Sequence, residues 1–284
     1  MISALHLEAF YESAKSRHFG RAAEALAITP SALSQRISGL EADLEITLFI
    51  RDPSGLRLTE AGETLLRYCQ VQQSLQQDML THLGLKKNSQ KLSGQLRIAG
   101  FSSVMRSVLI PTMADFLRQH PDVHCEFQSF EVKDLLRVLR NAEADLVVLD
   151  FHPAKAGIVE HVLGQEEYVV IESSKFRSPP DLFLDHGPHD NATESFFASQ
   201  PKPPKTYRRS FMGDVYGILN GVELGLGRAV MSRHLIKGAK GVRRIRGHRA
   251  YHRDVVLCYF EQPYYSALHK TVVELLTNGC RQRL

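Results

Sequence analysis

The chain has 284 residues, a length that suits two domains or one domain with a compact appendage. Apolar residues make up 43% of the chain and charged residues 23%, which is ordinary for a soluble globular protein. No apolar run could span a bilayer, and the N-terminus lacks the basic and apolar regions of a secretory signal. The four cysteines are scattered without paired spacing, so we expect reduced thiols in a cytoplasmic protein.

The formal net charge is +4, and the cations are unevenly distributed. Residues 1–58 hold six Lys/Arg against seven Asp/Glu, so this segment is not basic overall. Residues 201–253 hold thirteen Lys/Arg against two acids. A stretch of this kind is typical of a solvated face. It could instead attract an anionic ligand, DNA, or an acidic surface of another subunit or a polymerase.

The first elements in the chain are three predicted helices. Residues 4–16 have an amphipathic pattern in which Leu5, Phe10 and Ala14 are expected to face the core. Residues 21–26 and 30–43 then form two helices joined by a tight turn. Thr29 is a suitable N-cap and Pro30 suits the first helical position of the second helix.

The second of these paired helices has two contrasting faces. Leu33, Ile37 and Leu40 recur at helical spacing and form a buried stripe. The opposite face carries Ser31, Ser34, Gln35 and Ser38, with Arg36 beside it. Hydroxyl, amide and guanidinium groups near a helix N-terminus suit contact with base edges and phosphates in a major groove. The pattern favours a helix-turn-helix, and the alternative is a generic helical hairpin with a solvated polar face.

A short hairpin is predicted after the helix at residues 30–43, which is the recognition helix of the predicted helix-turn-helix. Residues 46–50 and 56–58 are strand candidates, and residues 51–55 supply turn chemistry. Arg51 and Arg57 lie near the ends of this hairpin. A wing with two arginines can grip phosphates or reach into a minor groove.

Residues 5–65 resemble the DNA-binding domain of LysR-type transcriptional regulators. The resemblance rests on Leu7, Phe10, Phe19, Ala22, Ala23, Leu26, Ser31, Ala32, Leu33, Ser34, Ile37, Leu40, Glu41, Leu44, Leu48, Phe49, Arg51 and residues 58–62. The chain departs from the family at Glu45 and Ile46, where the family usually has Gly. The resemblance implies a winged helix-turn-helix over residues 1–58. The predicted DNA contacts are Arg21, Pro30, Ser31, Ala32, Ser34, Gln35, Arg36, Arg51 and Arg57.

A long amphipathic helix is predicted over residues 59–87. Its apolar positions include Leu66, Cys69, Leu75, Met79 and Leu83, and its middle is rich in Gln. A solitary amphipathic helix seldom stands alone, so we expect it to pair with its twin in a dimer. The resemblance likewise implies a dimerisation linker, and the alternative is packing on its own chain. The polar residues 84–93 are the expected hinge to the next domain.

From residue 94 onward strands and helices alternate, which indicates an α/β fold with two open parallel sheets. The pattern resembles the effector-binding domain of the same family, which has the two-lobed periplasmic-binding-protein fold. The domain would cover residues 92–284. Lobe I would hold residues 92–163 and 255–284, lobe II residues 164–254, and two crossing strands would form the hinge.

The predicted effector site lies at the carboxyl ends of strands in both lobes. Ser102 and Ser103 supply two hydroxyls at the start of a helix, where free amides also suit a carboxylate. The alternative is that one of these serines only caps the helix. The site residues are Ser102, Ser103, Asp150, Phe151, Phe211, Met212 and Gly213. The sequence of the recognition helix resembles that of the lysine/arginine-responsive export regulators. This resemblance suggests that the effector is a cationic amino acid whose amine is held by an Asp. The basic residues 201–253 point instead to an anion.

No catalytic constellation is apparent in the sequence, so an enzyme is not expected. His186 and His189 with Asp185 and Asp190, or His248 with His252, lack the full ligand set of a zinc site. We therefore expect no cofactor or metal, and a small-molecule effector that is an amino acid or organic acid. The expected partners are double-stranded operator DNA, a second or further copies of the chain, and RNA polymerase. The alternative is a two-lobed solute-binding protein without a DNA role.

Overall fold

The computed structural model describes residues 2–52, 55–83 and 92–284, and for residues 51, 52, 55, 74, 77, 78, 81 and 82 it describes the backbone alone. The N-terminal part contains helices and one hairpin. Its elements are α1 (Ala4–Ser16), α2 (Phe19–Ala25), α3 (Pro30–Leu44), β1 (Phe49–Asp52), β2 (Gly55–Leu58) and the long helix α4 (Glu60–His82).

The core of the N-terminal part lies between α1, α3 and the hairpin. Leu33, Ile37 and Leu40 are buried as predicted. On α1 the buried side chains include Leu7, Phe10 and Ala14, whereas Leu5 is 54% exposed, so the prediction for Leu5 was wrong. Residues 7, 10 and 14 are three and four positions apart and share one helix face, which Leu5 does not.

The hairpin begins later than its apolar run suggested. The predicted strand over residues 46–50 is replaced by β1 from Phe49, because a side chain of α3 holds the preceding backbone. Glu41 Oε1 accepts hydrogen bonds from the amides of Leu48 and Phe49 at 2.7 and 3.3 Å. β1 and β2 then pair antiparallel, with Ile50 opposite Arg57.

Helix α4 is packed against the N-terminal core near its start and exposes apolar side chains to solvent along the rest of its length. Leu66 and Cys69 near its start are buried in the N-terminal core. Further along, apolar side chains point to solvent, with exposed fractions of 55% for Tyr68, 45% for Leu75, 50% for Met79 and 62% for Leu83. The predicted hinge at residues 84–93 lies outside the described residues except for its last two positions.

The C-terminal part is an α/β structure built on a mixed sheet. Its strands are β3 (Gly94–Gly100), β4 (Val123–Ser129), β5 (Leu146–Leu149), β6 (Ile158–Ser173), β7 (Leu182–Asp185), β8 (Arg208–Phe211), β9 (Ala229–Ser232), β10 (Val242–Arg244) and β11 (Tyr251–Phe260). Its helices are α5 (Ser102–Val104), α6 (Ile110–Gln119), α7 (Val132–Arg140), α8 (Ala192–Ala198), α9 (Val215–Glu223) and α10 (Ala267–Gly279), with a π-helical segment (Met105–Leu109) between α5 and α6 and a 3₁₀ turn (Cys280–Gln282) after α10.

The expectation of two open parallel sheets holds only in part. In the described residues, seven strands form one sheet with the order β10-β6-β11-β5-β3-β4 and with β9 paired to β6. Parallel pairing joins β3 to β4 and β5, and also β7 to β8. Antiparallel pairing joins β11 to β5 and β6, because β6 carries the chain from lobe I into lobe II and β11 brings it back.

The crossing strands β6 and β11 form a long ladder that joins the two lobes. It runs from Tyr251 opposite Tyr168 to Phe260 opposite Ile158, with a register shift between Val255 and Val256. A register shift of this kind bends a ladder locally and increases its twist. The first half of β6, and strands β8 and β10, are rich in charged residues and lack an apolar run, so the sequence pattern does not indicate them.

Helices cover both faces of each lobe. In lobe I, α6 and α10 pack on one face of the sheet and α7 on the other. In lobe II, α9 and α8 pack on opposite sides. The amide of Ile110 bonds to Met105 O, five residues back, just before Pro111, whose missing N–H removes a ladder bond.

The turn between α7 and β5 packs against the N-terminal part. Ala142 belongs to the same buried cluster as the α1 and α3 side chains. An Arg17 guanidinium nitrogen lies 2.8 Å from Glu143 Oε1, and the Arg67 guanidinium lies 4.5 Å from the centre of the Phe260 ring. The N-terminal part and lobe I therefore share a packed contact.

Among the described residues, no helix is both long enough and apolar enough to cross a membrane.

Candidate DNA-reading surface and inter-lobe cleft

The turn between α2 and α3 is tight and is made without glycine. Ala27 has φ of 51°, and the amide of Ile28 bonds back to Ala23 O at 3.0 Å. Ala22 and Ala23 are 0% and 1% exposed, and their small side chains allow the helices to approach closely. The two helices thus adopt the helix-turn-helix arrangement that the sequence predicted.

The N-terminus of α3 is capped by a side chain. Thr29 Oγ1 accepts a hydrogen bond from the amide of Ala32 at 3.2 Å, as predicted for an N-cap. Ser31 Oγ lies 3.0 Å from Thr29 Oγ1, so this predicted base contact also takes part in the cap. Gln35 is exposed on the face opposite the buried stripe, and Ser34 and Arg36 beside it are partly exposed.

The remaining predicted DNA contacts lie on α2, α3 and the hairpin. Arg21, Pro30 and Arg57 are exposed, and Ala32 is half-buried. Arg51 lies on β1, but its side chain is outside the described residues. The cations are few and dispersed, so any grip on phosphates depends on their positions rather than on bulk charge.

Ser102 and Ser103 open the helical run that follows β3. Phe101 occupies the N-cap position, and no side chain caps α5. Ser103 is buried, and its carbonyl accepts a 2.5 Å hydrogen bond from Ser107 Oγ. The carboxylate site at Ser102 and Ser103 stays a prediction.

Residues of lobe II face this helix start across the cleft. The Arg106 guanidinium lies 3.8 Å from the centre of the Tyr216 ring. Glu131 and His186 approach to 3.7 Å across the same gap. Gly213 has φ of +82°, a conformation that glycine adopts readily. These contacts join the lobes close in sequence to Ser102, Ser103 and Gly213, and a shared effector site at these residues stays a prediction.

Hydrogen bonds from the amides of Gly217 and Tyr216 hold the pKa of Asp214, the N-cap of α9, below its usual range.

Asp150 is already paired within the chain. Its Oδ2 accepts a hydrogen bond from Arg253 Nη1 at 2.8 Å, and Arg253 Nη2 donates to Asn191 Oδ1 at 2.8 Å. Asp150 is therefore a weak candidate for the Asp that was expected to hold an effector amine, because Arg253 already neutralises its charge. Phe151 and Phe211 are exposed, and Met212 packs against the lobe II core.

A buried hydrogen-bonded chain joins the lobes, and the sequence analysis did not predict it. His234 Nδ1 lies 2.7 Å from Ser107 Oγ, and His234 Nε2 lies 2.5 Å from Glu166 Oε1. Glu166 Oε2 accepts from the Tyr168 hydroxyl at 3.1 Å. Since Ser107 donates to Ser103 O, the imidazole must donate at Nδ1. One further proton between Nε2 and Glu166 keeps this buried pair neutral overall.

Two family models match the chain. The first, described as "Bacterial regulatory helix-turn-helix protein, lysR family", matches residues 5–63. The second, described as "LysR substrate binding domain", matches residues 89–281. The chain belongs to the LysR family of transcriptional regulators.

Individual proteins show the same likeness along most of the chain. The transcriptional activator IlvY of Salmonella typhimurium is 31% identical over 241 residues, which cover 79% of this chain and 80% of IlvY. The structure of ArgP from Mycobacterium tuberculosis has a TM-score of 0.79 at 20% identity and covers 99% of this chain and 98% of its own. The structure of LysG from Corynebacterium glutamicum with bound effector Arg has a TM-score of 0.74 at 18% identity and covers 98% of this chain and 98% of its own. At these identities the two structures show a shared fold alone.

This LysR-family protein is a DNA-binding transcriptional regulator with an effector-binding domain, and the family is one of regulators, not of enzymes. The alternative of a solute-binding protein without a DNA role is therefore wrong. In the described part of the chain no three His, Cys, Asp or Glu side chains are grouped to hold a metal. Asp185 instead contacts Thr193 and Arg209, and His186 faces Glu131.

The regulator has cleft residues that sequence reasoning missed. Arg106 lies one helical turn after Ser102 and Ser103, so spacing along the helix could have indicated it. His234 and Glu166 gave no local signal, because His234 meets Ser107 and Glu166 only through the folding of distant segments.

Proposed function

We propose that the regulator reads its operator with the exposed face of α3 and holds phosphates with arginines placed around it. The observation that supports this most is the capped N-terminus of α3, with Gln35 exposed and the apolar stripe fully buried behind it. In this proposal Ser31, Ser34 and Gln35 contact bases. Arg21, Arg36, Arg51 and Arg57 contact phosphates or a minor groove, while Pro30 and Ala32 lie against the DNA backbone.

A comparison of two alanine variants tests this division of roles on DNA from upstream of the regulator's own gene. Gln35→Ala should cost about 1–3 kcal/mol at the operator and much less on unrelated DNA, because an amide contact reads one base. Arg57→Ala should weaken operator and unrelated DNA alike and reduce the salt slope by about one. Fluorescence anisotropy at several salt concentrations measures both.

Gln119→Ala serves as the control in that experiment, because Gln119 is an exposed glutamine at the end of α6, outside the units proposed for DNA binding and dimerisation. It should leave DNA affinity unchanged. If Gln35→Ala and Arg57→Ala give the same pattern on both DNAs, the assignment of base and phosphate contacts is wrong.

We propose further that the effector is a small carboxylate-bearing molecule bound between the lobes. Its carboxylate would meet the amides and hydroxyls at Ser102 and Ser103, with Phe151, Phe211, Met212 and Gly213 around it. Within the described residues Arg106 forms no ion pair, whereas Asp150 is paired with Arg253. This arrangement supports an organic acid above a lysine- or arginine-type effector, even though LysG was solved with bound Arg.

The working assembly that we propose is a cytoplasmic homodimer, or a pair of dimers, that engages RNA polymerase from the promoter. Its units are residues 1–58 for DNA, residues 59–87 for dimerisation and residues 92–284 for the effector. The lobes divide at residues 163–164 and 254–255. The apolar side chains exposed along α4 support the dimer, since a second copy of α4 would cover them.

A further inference from the structure

The basic stretch at residues 201–253 is largely neutralised in the fold. Of its nine arginines, seven pair with a carboxylate among the described residues, and all of those carboxylates come from residues 150–194. The pairs are Arg208–Asp181, Arg209–Asp185, Arg228–Glu172, Arg233–Glu167, Arg243–Glu172, Arg244–Glu167 and Arg253–Asp150. The two arginines that form no ion pair in the described structure are Arg246 and Arg249.

The carboxylates nearest to β10 are shared, which leaves positive charge in excess. Glu172 binds both Arg228 and Arg243, and Glu167 binds both Arg233 and Arg244. Each of these clusters therefore has one cation more than it has anions. Together with Arg246 and Arg249, they give this side of lobe II a positive potential.

Arg246 and Arg249 lie on one short loop whose shape is fixed at both ends. The amide of Ile245 donates to Val170 O at 2.8 Å, and the chain rejoins the sheet at Tyr251, opposite Tyr168. Between these points the buried Gln200 side chain accepts from the Arg249 amide at 2.7 Å and donates to Arg249 O at 3.1 Å. The loop backbone is thus held in place, while both guanidinium groups are exposed.

A cavity of about 570 Å³ lies between this loop and β6. Phe196, His248 and the loop arginines line it, and none of the predicted cleft residues does. The His248 ring packs edge-on against Phe196, with 5.4 Å between ring centres. Burial, and then the nearby cations Arg228 and Arg244, lower the pKa of His248, as expected in a positive field.

We propose that this cavity is a second ligand site, which binds a small oxyanion with two or more negative charges through Arg246 and Arg249. Guanidinium groups bind phosphate and carboxylate oxygens through paired, charge-assisted hydrogen bonds. Because Gln200 already fixes the loop, binding orders only two side chains and costs little conformational entropy. The site is separate from the inter-lobe cleft, and its wall includes Tyr168 and Val169 of the crossing strand β6.

Calorimetric titration of the full-length regulator with pyrophosphate, at constant ionic strength in chloride, tests the proposal. We expect saturable binding that the double variant Arg246→Ala/Arg249→Ala weakens by about tenfold or more. The matched control is Lys237→Ala/Lys240→Ala, which removes the same charge from exposed residues of lobe II that do not line the cavity. It should change affinity by no more than about twofold.

Three results would overturn the proposal. The first is the absence of saturable binding in the wild-type protein. The second is an equal loss in the arginine and lysine variants, which would show attraction to bulk charge only. The third is a loss of DNA affinity in the arginine variant without any pyrophosphate binding, which would assign the arginines to DNA phosphates. Thermal unfolding of both alanine variants shows whether they are still folded. The variant Arg246→Lys/Arg249→Lys retains the positive charges and should keep part of the affinity for pyrophosphate.

Discussion

Glu45 is a non-glycine residue in a left-handed backbone conformation at the end of α3. Its φ is 54°, and its amide and that of Ile46 bond back to Ala42 and Glu41. The chain therefore ends α3 in a left-handed turn at a residue that carries a Cβ atom. The left-handed conformation costs a residue with a Cβ atom roughly 1–2 kcal/mol relative to glycine.

Glu45→Gly should therefore raise the free energy of unfolding by about 0.5–1 kcal/mol, once the greater freedom of glycine in the unfolded chain is subtracted. Glu45→Ala is the control, because it removes the carboxylate but retains the Cβ atom. Urea unfolding of each protein measures the difference. Equal stability of the glycine and alanine variants would show that the backbone at residue 45 is unstrained.

Single residues also show what the sequence could and could not reveal. The stripe of Leu33, Ile37 and Leu40 was predictable because helical spacing alone determines it. Leu5 was misassigned because two registers of an apolar pattern competed on α1. The pairing of Asp150 was not predictable, since its partner Arg253 lies 103 residues further along the chain.

Helix α4 has an exposed apolar stripe that a partner would cover. Its exposed members Tyr68, Leu75, Met79 and Leu83 are spaced by seven, four and four residues, which keeps them near one face. Stripes of this kind on a monomer surface are typical of interfaces. This stripe is the structural reason for the dimer proposed above.

Leu75→Glu/Met79→Glu should weaken self-association by about a hundredfold or more, because burying each apolar side chain contributes about 1.5–3 kcal/mol. Sedimentation velocity over a concentration series measures the dimer dissociation constant. Gln73→Glu adds a charge on the opposite side of α4 and should leave that constant nearly unchanged. Dimers of undiminished affinity in the double variant would rule out this stripe as the interface.

Helices and strands whose apolar residues form a run or recur at regular spacing can be predicted from the sequence. Strands that form only because a neighbouring strand pairs with them cannot. Strands β3, β5 and β9 and helices α7 and α9 each carry an apolar run or stripe. β8 and β10 carry arginines, and they are strands because an adjacent backbone provides the hydrogen bonds. The first half of β6 is likewise a strand because it pairs with β11.

At the scale of the whole molecule, the proposed effector site combines Arg106, which forms no ion pair among the described residues, with Asp150, which is paired with Arg253. Organic acids should therefore raise the melting temperature, and lysine and arginine should not. Arg106→Ala should remove most of that rise, since the guanidinium would pair with the effector carboxylate. Differential scanning fluorimetry against a panel of both compound classes gives the answer.

Arg118→Ala is the matched control, because Arg118 is an exposed arginine that pairs with Asp115 on α6. It should retain the full response to organic acids. A rise in melting temperature with lysine or arginine, or an undiminished response in Arg106→Ala, would contradict an anionic effector.

From the contact at Ala142 we expect the unfolding of the two parts to be coupled. A side chain of the effector-binding part completes the core that supports α3, and Glu143 adds an ion pair to Arg17 at the end of α1. A ligand that binds only the folded effector-binding part adds its binding free energy to the stability of everything that unfolds with it. Amide protons in α1 and α3 should thus exchange more slowly when the distant cleft is filled, so that effector occupancy is registered in the protection of the DNA-reading helix itself.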